Sequence, residues 1–229
     1  METKINGTTL PVLEVTLQAG EKVVAEGGEL SWMTPNISLH TTTGALGQSG
    51  VFGAIKRVAS GSSIFLTEYT AQGGVGQVAF ATKLPGTILP IDVIPEGFLV
   101  QKHGFLCATP DVELSMGFQH RLRSGMFGGD GFVLQKVTGS GQFFVELSGE
   151  VVRKDLAQGE QILVHPGHVG LFPATMPFEI TTMAGVTNLM FGGDGVFLVR
   201  LSGPGTVLLQ SLTIVKLAAA IQEYMPSKG

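Results

Sequence analysis

With 229 residues the chain is long enough to bury a substantial core, about 70–75% of the surface an unfolded chain of this size exposes. Charged residues are 14% of the total, the net charge is −4 and the isoelectric point is near 5.7. That balance excludes the clustered Lys and Arg on which non-specific nucleic-acid binding depends. Mean hydropathy is +0.34, yet no run approaches the ~18 apolar residues needed to span a bilayer as a helix.

In chain order, Met1 to Thr9 is polar and carries no charged-then-apolar leader, so a cytoplasmic location is expected. Val12-Leu13-Glu14-Val15-Thr16-Leu17 alternates apolar and polar side chains, which predicts a half-buried strand. Phe132 to Val137 alternates likewise, and Gln142 to Leu147, rich in Val and Phe between the Gly141 turn and Ser148-Gly149, reads as a further strand. One helix is predicted at the C-terminus. Ile214, Leu217, Ala218, Ile221 and Met225 fall on one stripe that ends at Pro226. Its expected use is to cap an open end of the β structure.

Tandem repetition organises these elements. Met126-Phe127-Gly128-Gly129-Asp130-Gly131 recurs at Met190-Phe191-Gly192-Gly193-Asp194-Gly195, an offset of 64 (190 − 126). The Gly-x-Gly turns that follow end at Gly141 and Gly205, again 64 apart. A more divergent copy aligns Phe65 with Val133 and Phe197, and Leu66 with Leu134 and Leu198, followed by Gly74-Val75-Gly76. Gly20-Glu21, Glu96-Gly97 and Gly159-Glu160 mark the same point upstream in each copy, and Gly28, Gly104 and Gly167 follow at turns expected to be equivalent. A period held over this distance denotes tandem supersecondary units. The expected fold is all-β: three double-stranded β-helix or β-sandwich repeats in a pseudo-threefold arrangement, with a short C-terminal helix. One domain spans 1–229, with units at about 10–83, 84–147 and 148–229.

Residues that recur in all copies read as architecture, so chemistry is sought where the copies differ. His165-Pro166-Gly167-His168 is the one close histidine pair. Two imidazoles around a turn suit a zinc or iron site, with Glu160, Glu179, His120 or His103 as further ligands. The H-x-H-plus-Glu pattern of cupins is absent. The two Gly-Gly-Asp-Gly loops lack the Gly-Lys-Ser/Thr ending of a phosphate loop and open no helix, so Asp130 and Asp194 read as turn residues. The small basic groups Lys56-Arg57, Arg121/Arg123 and Arg153-Lys154 read as solvated surface. Cys107 is the sole cysteine. It forms no intrachain disulfide and reads as a buried, inert thiol.

The order of Gly50-Val51-Phe52-Gly53-Ala54-Ile55-Lys56-Arg57, the Gly61-to-Phe65 strand, Leu84-Pro85-Gly86-Thr87-Ile88-Leu89-Pro90-Ile91-Asp92, Gly104 to Ala108, the Gly141 turn and Gly159-Glu160 resembles the altered-inheritance-of-mitochondria family. The resemblance covers residues 12–215. It implies a fold similar to the tryptophan RNA-binding attenuator protein, but no ligand: the Thr and His pattern for tryptophan and a repeated Lys/Arg set for RNA are not identifiable. The leading expectation is a non-enzymatic β scaffold that forms a homo-oligomer, uses no cofactor and binds neither DNA nor RNA. A protein or a membrane surface is the other partner class. Two alternatives stand beside it: a cupin-like metal enzyme using His165 and His168, and a small-ligand or RNA sensor by fold analogy.

Overall fold

A computed structural model of the chain describes residues 1–43, 64–120, 131–183 and 196–225. The first seven strands are β1 (Glu2–Asn6), β2 (Val12–Leu17), β3 (Lys22–Glu26), β4 (Trp32–Met33), β5 (Ile37–Thr43), β6 (Phe65–Ala71) and β7 (Gly76–Ala81). Next come β8 (Gly86–Asp92), β9 (Phe98–Gln101), β10 (Phe105–Ala108), β11 (Val112–His120), β12 (Phe132–Gly139) and β13 (Gln142–Ser148). The last stretch holds β14 (Val151–Leu156), β15 (Gln161–Val164), β16 (Val169–Pro173), β17 (Phe178–Met183), β18 (Val196–Ser202), β19 (Gly205–Gln210) and the helix α1 (Ile214–Gln222). Among the described residues the regular structure is all β apart from α1 and one 3-10 turn at Pro166–His168. The three strands expected from the sequence, two from alternation and one from composition between glycines, are β2, β12 and β13. The two Gly-Gly-Asp loops, the Gly50-to-Arg57 segment and Arg121/Arg123 lie outside the described residues.

The strands form four sheets, in the orders β1-β2-β7-β4, β5-β6-β3-β10-β13-β8, β11-β12-β9-β16-β19-β14 and β15-β18-β17. Three apolar clusters lie between successive sheets. Leu13, Val15 and Phe80 of the first meet Ala25, Tyr69 and Phe144 of the second. Val24, Phe105 and Phe143 of the second meet Val100, Val137 and Leu171 of the third. Leu99, Phe172 and Val207 of the third meet Val164, Val199 and Leu201 of the fourth. Position in the stack explains the burial patterns. Strand β2, in an outer sheet, alternates between buried and half-buried residues. Strand β13, covered on both faces, is buried without a break from Phe143 to Leu147, as a strand with no solvated face must be.

The pairings follow a rule. β3 pairs with β6, β9 with β12 and β15 with β18. β2 pairs with β7, β8 with β13 and β14 with β19. Two further ladders join these groups: β10 pairs with β3, and β16 with β9. Strands β4 and β15 end their sheets, and among the described residues no ladder joins them.

Backbone geometry meets the expectation at the turns. Gly141 and Gly205 have φ of 106° and 146°, and a Cβ on Gly141 would lie 2.2 Å from Thr109 Oγ1. Of the three glycines expected at equivalent turns, Gly28 alone has positive φ. The helix forms where its stripe predicts, with Thr213 Oγ1 accepting from Lys216 N at 3.2 Å as the N-cap. It does not serve as expected, because no α1 residue is buried. Ile214 is 54% and Ile221 53% exposed. The three apolar clusters lie between sheets and include no α1 residue, so their burial does not depend on the helix. No helix among the described residues is long and apolar enough to cross a membrane.

Candidate functional site

The His165-Pro166-Gly167-His168 segment is the 3-10 turn between β15 and β16. Proline at the first turn position presets φ, and Gly167 keeps the turn tight against Thr213, whose Cγ2 would lie 3.0 Å from an added Cβ. The imidazoles do come together, with ring centroids 5.8 Å apart at 65°. His168 Nδ1 lies 2.7 Å from the Gln210 carbonyl oxygen. A carbonyl only accepts, so Nδ1 carries the proton and Nε2 holds the lone pair. Lys216 Nζ of α1 sits 2.9 Å from that Nε2, placing an ammonium where a metal cation would approach. His165 Nδ1 accepts from Gly167 N at 3.4 Å. Burial lowers the His165 pKa, and His168 and Lys216 lower it further.

The other ligands suggested by the sequence are placed elsewhere. Glu160 accepts from Ala157 N at 2.9 Å and closes the turn before β15. Glu179 on β17 forms an ion pair with Arg200 on β18. His120 stacks on Phe118 at the end of β11. His103 borders a pocket of about 260 Å³, together with Lys102, Phe132, Pro166, Gly167 and Ile214. Among the described residues no three His, Cys, Asp or Glu side chains gather as a metal set. Cys107 is fully buried, and burial, then Glu29, pushes its thiol pKa well up, which suits an inert thiol.

A cluster that the sequence reading missed lies at the junction of β3, β7 and β13. Lys83 Nζ contacts Glu29 Oε1 at 2.5 Å and Glu146 Oε1 at 3.0 Å. The Lys83 backbone N–H also donates to Glu146 Oε2 at 3.0 Å. Both carboxylates are buried while the ammonium is half exposed. Two carboxylates and one ammonium leave one surplus negative charge. Burial raises the Glu29 pKa, and Lys83 offsets that only in part. Burial alone would lower the Lys83 pKa, but its bonds to the two carboxylates raise it. The available signal was Glu146 itself, a carboxylate inside the apolar run Phe143-Phe144-Val145-Glu146-Leu147.

A neutral counterpart stands at the next junction. Gln210 Nε2 donates to Gln101 Oε1 at 2.5 Å and to the Gly167 carbonyl at 2.8 Å, while Gln210 Oε1 accepts from Ser148 N at 3.0 Å. Glu146 and Gln210 both lie five residues past the Gly-x-Gly turn glycine (146 − 141, 210 − 205), and Lys83 and Ser148 both lie seven past it (83 − 76, 148 − 141). These are matched side-chain clasps that hold ladders together, one ionic and one amide. Neither brings a nucleophile beside a base.

A stacked all-β protein whose polar clusters brace strand junctions is the class these features define. The family model for mitochondrial biogenesis AIM24 matches residues 3–212, and the chain belongs to that family. It is 25% identical over 223 residues to an uncharacterised protein of Streptococcus pyogenes serotype M6, covering 96% of this chain and 88% of that one. A crystal structure of a Streptococcus pyogenes protein superposes with a TM-score of 0.75 at 23% identity, covering 98% of this chain and 99% of that one. At that identity the likeness shows the shared fold.

Proposed function

We propose that the chain is a non-enzymatic, cytoplasmic β scaffold that works by self-association, built of three tandem units related by one repeated step. The observation that carries this reading is apolar surface at the ends of the stack. Trp32 and Met33 of β4 are 46% and 36% exposed, and Leu163 of β15 is 47% exposed. Natural sheets protect open edges with charge, proline or a covering element. These two edges carry large apolar side chains instead. The recurrence of the pairing rule supports the three units, with β3, β9 and β15 in one role and β4, β10 and β16 in another. The clasps support a mechanical reading of the polar clusters, since each one ties strands of one unit to the next.

Sedimentation equilibrium across a hundredfold dilution in the micromolar range tests the reading. A mass above 24.0 kDa that falls on dilution, or a fixed multiple of it, is expected. A constant mass of one chain overturns it.

A further inference from the structure

The two inner ladders between units share one register. Cys107 of β10 lies opposite Ala25 of β3, and Ala108 opposite Val24. Leu171 of β16 lies opposite Val100 of β9, and Phe172 opposite Leu99. The partners of β10, β16 and β4 within their own units fix the equivalence. Cys107 pairs with Phe144, Leu171 with Leu208 and Trp32 with Ala79. Each of those partners lies three residues past its turn glycine, Gly141, Gly205 or Gly76. Trp32 therefore stands where Cys107 and Leu171 stand. On the other side, Ala25 pairs with Thr67, Val100 with Gln135 and Val164 with Val199. Thr67, Gln135 and Val199 each follow the aligned leucine, Leu66, Leu134 or Leu198. Val164 therefore stands where Ala25 and Val100 stand.

The fold has thus made the β3-type to β4-type junction twice and left one half of it bare at each end. Strand β15 is a β3-type edge without a β4-type partner, and β4 is the reverse. The side chains fit this. At the two inner junctions Ala25, Val100, Cys107 and Phe172 are all fully buried. Of the counterparts at the two ends, Trp32, Met33 and Leu163 are exposed, while Val164, which stands where Ala25 and Val100 stand, is buried in the third cluster.

Resting on the self-association reading above, we propose that β15 of one copy pairs antiparallel with β4 of a second copy, Val164 opposite Trp32 and Leu163 opposite Met33. The three-stranded and four-stranded end sheets then join as one seven-stranded sheet. The occupant is a second copy of this chain because the chain itself contains both halves of the junction and shows the pairing twice. The contact is head-to-tail, so it builds a ring or a filament rather than a twofold dimer. The outer junction also lacks the clasp: Ala81 occupies the position of Glu146 and Gln210, five residues past Gly76. It is therefore weaker than the inner junctions and separates on dilution.

The experiment uses the full chain with Met33→Cys in one preparation and Leu163→Cys in another, treated with a short bismaleimide. Opposite residues of an antiparallel pair have Cβ atoms about 5 Å apart, within its reach, and native Cys107 is buried and silent. Neither variant alone should cross-link. Their mixture should give a covalent dimer of twice 24.0 kDa, and the double variant a ladder of higher multiples. No dimer in the mixture, from protein that sediments as an oligomer, overturns this contact and leaves self-association standing. A double variant that links only within one chain also overturns it, showing closure as a pseudo-threefold ring. Protein that sediments as a monomer overturns both readings.

Discussion

The inner junctions and the outer edges are built from equivalent strands and differ in what surrounds them. At β10·β3 and β16·β9 the paired residues are small or apolar, buried and held by a clasp of Lys83 with Glu29 and Glu146, or of Gln210 with Gln101. At β4 and β15 the same positions carry Trp32, Met33 and Leu163, all exposed, beside buried Val164, with alanine in place of the clasp residue. Folding stability should reside in the first set and assembly in the second. Substitutions at the two sets should therefore separate these properties.

The largest effect is expected at Phe172, which is fully buried in β16 and edge-to-face with Phe178 at 5.4 Å. Phe172→Ala should cost about 4 kcal/mol through lost burial and the cavity left behind. Urea unfolding should show a lowered midpoint with an unchanged slope. A loss below about 1 kcal/mol would show that the junction does not carry the stability assigned to it.

Lys83→Met comes next, because it leaves two buried carboxylates without their cation. The expected loss is about 3 kcal/mol, the low end for breaking a buried pair, since the ammonium is half in water. The same cluster sets a pH dependence. The Glu29 pKa is raised above its ordinary 4.5, so the folded chain holds a proton that the unfolded chain releases first. Stability from this group is greatest below pH 4.5 and falls as pH rises from there through the raised folded value. Glu29→Gln should remove that fall from a plot of unfolding free energy against pH. An unchanged profile would place the titration elsewhere.

A glycine pair refines the picture at smaller magnitude. Gly97 and Gly159 precede β9 and β15 and both have positive φ, 76° and 82°. A Cβ at Gly97 would meet Val137 O at 2.3 Å, whereas nothing lies within 4 Å at Gly159. Gly159→Ala should cost about 1 kcal/mol, the backbone term alone. Gly97→Ala should cost clearly more, because the neighbouring backbone has to shift. Equal thermal shifts would mean that the inner turn is no tighter than the outer one.

These contrasts show how much of the structure could be read in advance. Alternation located β2 and β12, Val and Phe content between glycines located β13, and glycine spacing located the Gly141 and Gly205 turns, because all are local consequences of side-chain pattern and φ. The stripe located α1 but misjudged its surroundings, since periodicity says which residues share a face and not what covers that face. The β10·β3 and β16·β9 ladders were illegible. They are backbone hydrogen bonds between segments about 80 residues apart, such as Ala25 with Cys107, and leave no composition signal. Lys83, Glu29 and Glu146 were missed for the same reason, each lying in a different part of the chain. The histidine pair was legible as a pair, but the Lys216 ammonium beside it came from a distant helix.

The smallest effect on folding, and the sharpest test of the comparison, is expected at Leu163. Its side chain is 47% exposed on an edge strand, so Leu163→Lys removes little buried surface and should change the stability of the dilute chain by no more than about 0.5 kcal/mol. A lysine on that edge places a charge where an incoming strand would have to lie, a natural means of blocking edge pairing. Anything that binds only the folded state raises its apparent stability with concentration, and a second copy acts as such a ligand. The wild-type melting temperature should therefore climb with protein concentration, while that of Leu163→Lys should stay flat and meet the wild-type value at high dilution. Parallel climbing in both proteins would remove β15 from the interface. A variant that melts far lower at every concentration would mean that Leu163 belongs to the inner class of junction and that the division between folding and assembly lies elsewhere in the stack.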